Sequence, residues 1–536
     1  MRKPFLLLLG ALALVTAKAQ TPTWSSDIAQ IMYSNCTSCH HSGGLAPFSL
    51  INYADAFSHR FNVADKATTR QMPPWPPDAN YSRLAHERLL SAMDIQKINN
   101  WVAGGSPMGD STLAPAKPVY TNGSTLSSVD LTLTIPTYTV PGNQSGDLYQ
   151  CFSIPSGLLQ NKSITAMEIL PGNGAIVHHV LVYQDTTGTC AQLDANSAGP
   201  GYTNFGGVGS NKAILIGGWV PGMQPYHLPQ GLGIKLYANA DVVLQIHYPA
   251  GSGGQSDSTK INFQLTTNSV RQVMIAPALN HIPSPTGSLV NGPLYIPANE
   301  VKTFESHYKI PNVNVSFITV GPHSHLVSTN WVSYAVTPTG DTIPFIRINN
   351  WDFHWQGFYQ FRNVVKIPAN SDLYGFCTYD NTSNNPNNPN NPPQDVSLGE
   401  ATTDEMMLVY FSYMVYQPGD ENIVMDSTTP VNLTDTVEAP NAVQDIKGMV
   451  STAQLYAAEP NPANNQTLFS YFLPEGGNTT LSIYDLNGRL VEELKVPQAK
   501  GFNSFTYNTS ALQPGNYLYS LNSGGLIRTK QLIVTH

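Results

Sequence analysis

Apolar positions along the chain follow three different rhythms. Residues Phe5 to Val15 are an unbroken apolar run behind Arg2 and Lys3, and Ala17-Lys18-Ala19 after it is a small-x-small cleavage site. That pattern predicts a secretory signal over residues 1–19. In the next stretch the spacing is helical. Ile28, Ile31 and Met32 share one face. Ser91-x-x-Asp94 has the form of a capping box, and Ile95, Ile98, Trp101 and Val102 follow it at helical intervals until Gly104-Gly105 and Pro107. From about 120 to 432 the texture changes to short β-branched and aromatic runs between Gly, Asn and Pro turns. This predicts strands, and over 300 residues two sandwiches or jelly rolls. Residues 384–393 (NNPNNPNNPP) read as a low-complexity loop and 433–454 as a linker. The last 80 or so residues form a further small β unit with an Asn487-Gly488 hairpin turn.

Composition narrows the class. The chain has 536 residues, enough for several domains, and only 11% are charged. The formal charge is −9 and becomes −12 when the signal takes Arg2, Lys3 and Lys18 with it. No basic run appears, so a nucleic-acid partner, which needs a basic face to displace counterions, is set aside. No later segment approaches the roughly 18 apolar residues of a membrane span. The expected product is exported to an oxidising space. Five cysteines are too few to carry the fold: Cys36 and Cys39 are a close pair, and Cys151, Cys190 and Cys377 are scattered.

Cys36-Thr37-Ser38-Cys39-His40 has the spacing of c-type haem attachment. Two thiols one helical turn apart can add to the two vinyl groups, and the next imidazole reaches the iron from one face. A redox disulfide would want a thioredoxin-like βαβ pattern, and a zinc knuckle a second Cys or His pair at longer spacing. The first is absent from the sequence, and Cys-His-His in immediate succession cannot provide the second. For the sixth iron ligand Met72, in the stiff run Gln71-Met72-Pro73-Pro74-Trp75-Pro76-Pro77, is favoured, with His41, His59 and His86 as rivals. The segment 20–118 resembles a class I cytochrome c, with the motif on the first helix, Met in a Pro loop and a closing helix carrying Trp101.

Five of the fourteen histidines fall in three apolar strands. These are Ala175–Tyr183 with His178 and His179, Val242–Tyr248 with His247, and Gly321–Leu326 with His323 and His325. Alternation puts His323 and His325 on one face of a strand. It puts His178 and His179 on opposite faces, so both serve one metal only if the strand bends or each uses a different ring nitrogen. A Met-bearing strand, Thr403–Leu408, follows. Imidazoles with a thioether favour copper. The glycines at 206, 207 and 209 are not a nucleotide loop, since no strand-to-helix pattern surrounds them.

The stretches VHHVLVY, LPQGLGIKLYANADVVLQIHYP, PHSHL and TTDEMMLVYFSY, in this order, resemble the copper type II, ascorbate-dependent monooxygenases over residues 125–432. The resemblance implies two jelly-roll domains (125–270 and 271–432), each with a copper, facing across a solvent-filled cleft. It implies His178, His179 and His247 on an electron-storing copper, and His323, His325 and Met406 on the copper at which O2 is used to hydroxylate a C–H bond. Gln245 matches a glutamine beside the third histidine and Tyr410 a tyrosine near the substrate. Met406 rather than Met407 is the expected thioether ligand. Gly321 stands where the peptide-hydroxylating branch has an arginine, and Leu408 where it has an asparagine, which departs from recognition of a peptide carboxylate. The Trp351–Gln356 segment looks like the bacterial branch; His354 there is read first as a satisfied surface histidine, with a supporting or substrate-contacting group as the alternative.

Residues 455–536, with Glu459-Pro460-Asn461-Pro462, the Asn487-Gly488 turn and Leu512-Gln513-Pro514-Gly515-Asn516-Tyr517, resemble a type IX secretion sorting domain. The expectation is therefore a mainly β, secreted or cell-surface copper monooxygenase with a small all-α haem domain in front and a small β-sandwich sorting domain behind. Its expected cofactors are two copper ions and one covalent haem c. Its expected partners are O2, ascorbate or a redox-protein donor (the fused haem among them), a small-molecule or peptide-like substrate and the type IX machinery. The competing expectation is a non-catalytic surface electron-transfer or copper-binding protein.

Overall fold

The structure is a computed structural model that describes residues 21–426 except 121 and 122, and 453–535 except 456–457, 459–460, 474–476, 486–488 and 497–500. The secretory signal, most of the 433–454 linker, Glu459-Pro460 and the Asn487-Gly488 turn lie outside the described residues. The chain is mainly β, 40% strand and 12% helix, with the helices concentrated near the N-terminus.

Two mostly antiparallel sheets enclose the core of the first β half. One runs in the order Tyr202–Thr203, Leu148–Pro155, Asp241–Tyr248, His179–Asp185, Ile214–Trp219; the other has six strands, including Lys162–Leu170 and Lys260–Thr266. The central strand Asp241–Tyr248 is buried along almost its whole length because both its faces are covered. Val242, Leu244, Ile246 and Tyr248 point into the core with Val180 and Val182 of the next strand. By alternation Gln245 and His247 take the opposite face. The strand register then sets Tyr149, His247 and His179 side by side across three neighbouring strands.

The second β half repeats the principle with two four-stranded antiparallel sheets. One is Met274–Leu279, Leu408–Val415, Val315–His323, Tyr359–Ile367; the other is Val301–Lys309, Asp372–Asp380, Ser328–Val336, Thr342–Ile348. Trp331, Phe345, Phe317 and Phe411 fill the space between them. The Asn-rich loop is more than low complexity. Asn381, Asn385 and Asn388 turn their amides inward onto the backbone of 296, 297, 380, 382 and 394 and onto one another, and Asn381 and Asn385 are buried. Asn side chains that bridge backbone groups do here what a regular strand would do for itself.

In the N-terminal segment the helices Ala29–Asn35, Tyr53–Thr68 and Ala92–Ala103 pack around Trp24, Ile28, Met32 and Trp101. The Ser91 hydroxyl accepts the Asp94 N–H at 2.9 Å, as a cap should. Residues 74–88, however, leave this bundle and enter the second β half. Leu84 is wholly buried in that half's core, Trp75 meets Tyr359 edge-on, and Asp78 pairs with Arg347 at 2.8 Å. The C-terminal unit is two further small sheets around Phe469, Tyr471, Ile483 and Tyr519.

Leu84→Ala should therefore destabilise the β region by about 2–5 kcal/mol, the usual cost of emptying a buried leucine site. Urea unfolding followed by the fluorescence of Trp331 and Trp351 reads this. An unchanged β transition would mean that the N-terminal segment is only tethered.

Candidate metal centres

The first histidine cluster grows from the register just described. His179 opens its strand and lies opposite His247. His178 sits one residue before the strand, at the end of the turn Asn173–Val177, and donates its N–H to the carbonyl of His247 at 3.0 Å. The turn supplies the bend that lets adjacent histidines face one point. Their Nδ1 atoms are 3.2 Å apart, and the ligand atoms of His178, His179 and His247 all lie within 4.8 Å of one another. On His247 the Nε2–H donates to Asp147 at 3.1 Å, which leaves Nδ1 buried and without a hydrogen-bond partner among the described residues; His178 Nε2 is in the same position. Buried imidazole nitrogens lacking a proton-bonding partner are what a metal requires. The Tyr149 ring lies flat on His247 at 4.4 Å.

The second cluster is built differently from the alternation expected for it. The strand ends at His323, and His325 lies in the turn beyond; the rings are nevertheless 5.2 Å apart and nearly perpendicular. The turn is held by Glu405, fully buried, whose carboxylate accepts the N–H groups of His325 and Val327 at 2.8 Å each and of Met406 at 3.2 Å. Burial pushes the Glu405 carboxyl up to about 8, against the pull of those donors. Met406 and Met407 likewise precede their strand, which starts at Leu408. They still take opposite sides: Met406 lines the cavity with Leu408 and Tyr410, while Met407 joins the core with Val409 and Phe411. His325 donates Nδ1–H to the carbonyl of Asp404 at 3.0 Å. His323 donates Nδ1–H to Gln356 Oε1, an amide whose orientation is fixed by its Nε2 donating to Phe353 at 2.9 Å. Both histidines thus present Nε2.

A cavity of about 330 Å³ lies beside both clusters, lined by His179 of the first and by His323 and Met406 of the second. Gln245 and Tyr410, singled out in the sequence, both reach its wall. Wall residues that the sequence reading gave no role include Tyr149, His281, Phe358 and Glu400. His281 accepts the Met407 N–H at 3.4 Å through Nδ1, and burial lowers it to about 4. Phe358 is wedged between the halves. A Cβ on Gly321 would stand 2.8 Å from its ring and one on Gly218 3.2 Å. Gly321 is therefore the residue that admits Phe358, and an arginine side chain has no room there. No lysine or arginine lines the cavity among the described residues. His354 lies outside it, mostly exposed and paired with Asp352 at 3.1 Å, although its ring is 6.5 Å from that of His178.

In the N-terminal segment the first helix ends at Asn35, so the thiols follow the helix rather than ride on it. A further turn keeps them adjacent, with Cys39 and His40 N–H groups both donating to the Cys36 carbonyl. Cys36 and Cys39 are half-buried free thiols. His40 donates Nδ1–H to the Phe48 carbonyl at 3.1 Å and presents Nε2, the arrangement an axial imidazole needs. Met72 is 37% exposed. Of the three rival histidines, His41 stacks on Tyr120 and His86 turns toward Asp426, while His59 stacks at 3.9 Å on Phe48, the ring that His40 meets at 4.5 Å.

Burial lowers His178 to about 3, His323 to about 4, His325 to about 3 and His179 well below its usual range. Neutral imidazoles are the ligand form. The unfolded chain takes up these protons near pH ~6.5, the native chain only below about 4, so metal-free protein should lose stability as pH falls through that window. Thermal melts of metal-free protein across pH 7 to 4 measure this. A flat melting temperature would show that the clusters are not desolvated.

Residues 297–436 match the family model for the copper type II ascorbate-dependent monooxygenase, C-terminal domain. Residues 458–535 match the secretion system C-terminal sorting domain. The first match gives the chain a monooxygenase-type oxidoreductase domain and implies copper, O2, ascorbate and a substrate. The second implies export by the type IX machinery to the outside or the cell surface, and no helix among the described residues is long and apolar enough to cross a membrane. His178, His179, His247 and the haem motif fall outside both matched stretches. Among solved structures, the chain is similar at 9% identity to a biofilm associated protein BSP domain, over 78% of this chain and 85% of that one with a TM-score of 0.14. It is similar at 9% identity to a Ruminococcus gnavus beta-glucuronidase, over 44% of this chain and 36% of that one with a TM-score of 0.12. Scores that low carry no argument about fold or function.

Proposed function

We propose that the chain is an exported copper monooxygenase that hydroxylates a C–H bond of a small substrate with O2, and that its N-terminal segment carries a covalent haem c delivering electrons. The observation that carries the reading is the approach of two donor sets to one cavity: the His178, His179 and His247 cluster, which reaches the wall through His179, and the His323 and His325 pair, which reaches it through His323 beside Met406. His178, His179 and His247 would hold one copper, and His323, His325 and Met406 the other. Copper in such sites supplies O2 activation and one-electron storage.

The chain's own residues do the rest. Asp147, the Asp404 carbonyl and Gln356 fix the tautomers of His247, His325 and His323 so that each offers its lone pair to the metal side. Tyr410, Phe358 and Leu408 give the cavity an apolar wall that keeps bulk water from the reacting centre. With no cation in that wall and Phe358 over Gly321, a carboxylate-bearing peptide end lacks a partner, and a small uncharged or apolar C–H substrate suits the space better. Cys36 and Cys39 would attach the haem and His40 would ligate it. Residues 74–88, seated in the second half, would hold this donor against the copper region, which raises its effective concentration beyond that of a free reductant.

Metal analysis should give two coppers and one haem per chain, and Met406→Ile should abolish O2-dependent product formation with the first copper retained. The reading fails if Met407→Ile has that effect and Met406→Ile does not, or if reduced protein consumes O2 once without turnover on any substrate, the behaviour of a plain electron carrier. For the haem, Met72 is the proposed sixth ligand. Met72→Ala should lower the midpoint potential, since a thioether raises it, and slow haem reoxidation by the copper-loaded chain. Loss of the six-coordinate low-spin haem spectrum in His59→Ala, with Met72→Ala unchanged, would make His59 the ligand.

A further inference from the structure

The cavity wall holds one imidazole that belongs to neither histidine cluster. His281 follows the strand Met274–Leu279, whose register sets Leu279 opposite Val409. Carried two residues past the strand, the same antiparallel pairing brings His281 against Met407, and the Met407 N–H donates to its Nδ1 at 3.4 Å. The ring lines the cavity with His323, Met406 and Leu408. A neutral imidazole has one protonated nitrogen, and the nitrogen that accepts a hydrogen bond is the other one. Nδ1 is therefore bare and Nε2 carries the proton. Burial, which lowers His281 to about 4, keeps the ring neutral. Its Nε2–H meets no partner among the described residues and is open to the cavity. A nitrogen that keeps its proton has no lone pair for a metal, so the ring is a donor and not a further ligand. Several other polar groups of the wall are already engaged. Gln245 donates to the carbonyls of 204 and 207, Gln356 is held between His323 and Phe353, and the Tyr149 hydroxyl donates to the Glu400 carbonyl.

We infer that His281 is a specificity-determining residue of the proposed monooxygenase: its Nε2–H anchors the carbonyl oxygen of an otherwise apolar, uncharged substrate. Phe358, Met406, Leu408 and Tyr410 supply apolar surface around that donor. A hydrocarbon would fill the same surface but would displace water from the N–H without replacing its hydrogen bond, which costs free energy. A carboxylate would find the donor but no counter-charge, since no lysine or arginine lines the cavity among the described residues. The amide that fixes the ring is next in the chain to Met406, so the anchored carbonyl is held beside the second cluster. The inference rests on the monooxygenase reading above.

Binding to the full chain loaded with Cu(I) and kept free of O2 tests it, because no reaction then follows. The probes are 4-fluoroacetophenone and 1-ethyl-4-fluorobenzene, which share ring and chain length and differ in the carbonyl. Fluorine NMR titration reads both affinities. The native chain should bind the ketone about tenfold more tightly, the worth of roughly one hydrogen bond. His281→Phe, which fills the space without a donor, should level the two probes. His281→Gln, which restores an N–H, should recover part of the preference. Equal binding by the native chain, or no binding of the ketone, would overturn the substrate class. A preference that survives His281→Phe would pass the role to another wall group and overturn the assignment. Failure of the monooxygenase reading looks different. Ketone binding through His281 with no O2-dependent product from any substrate panel would sink that reading and leave the anchor standing. Turnover of substrates without a carbonyl, at a rate that His281→Phe leaves unchanged, would do the reverse.

Discussion

The arrangement of the site depends on the lateral pairing of Tyr149, His247 and His179 across three hydrogen-bonded strands. Antiparallel partners stand close, and alternate residues share a face, so a register that buries Val242, Leu244, Ile246, Val180 and Val182 also sets these rings side by side on the other face. A slip of one residue would send His247 into the core and Leu244 toward the cavity. The hydrophobic core of the first half is thus the device that positions its metal ligands.

The second half reaches a similar result by another route. Its ligands lie at strand ends and in turns, where alternation no longer fixes direction, and a buried carboxylate takes over. Glu405 gathers the amides of His325, Val327 and Met406 into one small arc. An acid that collects backbone N–H groups in this way behaves like a capping residue for a turn that no helix or strand supports. Rigidity in both halves then comes from groups around the ligands as much as from the ligands themselves.

Seating of residues 74–88 in the second half changes the meaning of the N-terminal segment. A tethered module would explore many orientations, whereas Leu84 in the core and the Asp78–Arg347 pair hold one. The crevice between the segment and the second half, of about 710 Å³, is bordered by Trp75 on one side and by Trp351 and Trp355 on the other. Phe353, between those two tryptophans, is the residue that touches His178 and His325.

The sequence by itself determined the local and the periodic: a Cys-x-x-Cys-His turn, a capped helix ending at Gly104, strands with one apolar face, and a C-terminal β unit. These follow from short-range sterics and from 3.6- or 2-residue rhythms, which any segment displays without its partners. It also separated Met406 from Met407, because opposite sides of an extended chain are a local property. Tertiary structure alone decided which distant groups meet. Asp147 is one acid among many until the fold sets it between His247 and Thr402, 100 and 255 residues away. Phe358 has no signal in the sequence, since its place depends on two glycines, Gly218 and Gly321, brought together from different halves. The separation of the two clusters belongs to this second kind. No spacing along the chain encodes it, because it is set by how two cores dock, and docking is decided by side chains whose partners lie in another part of the sequence.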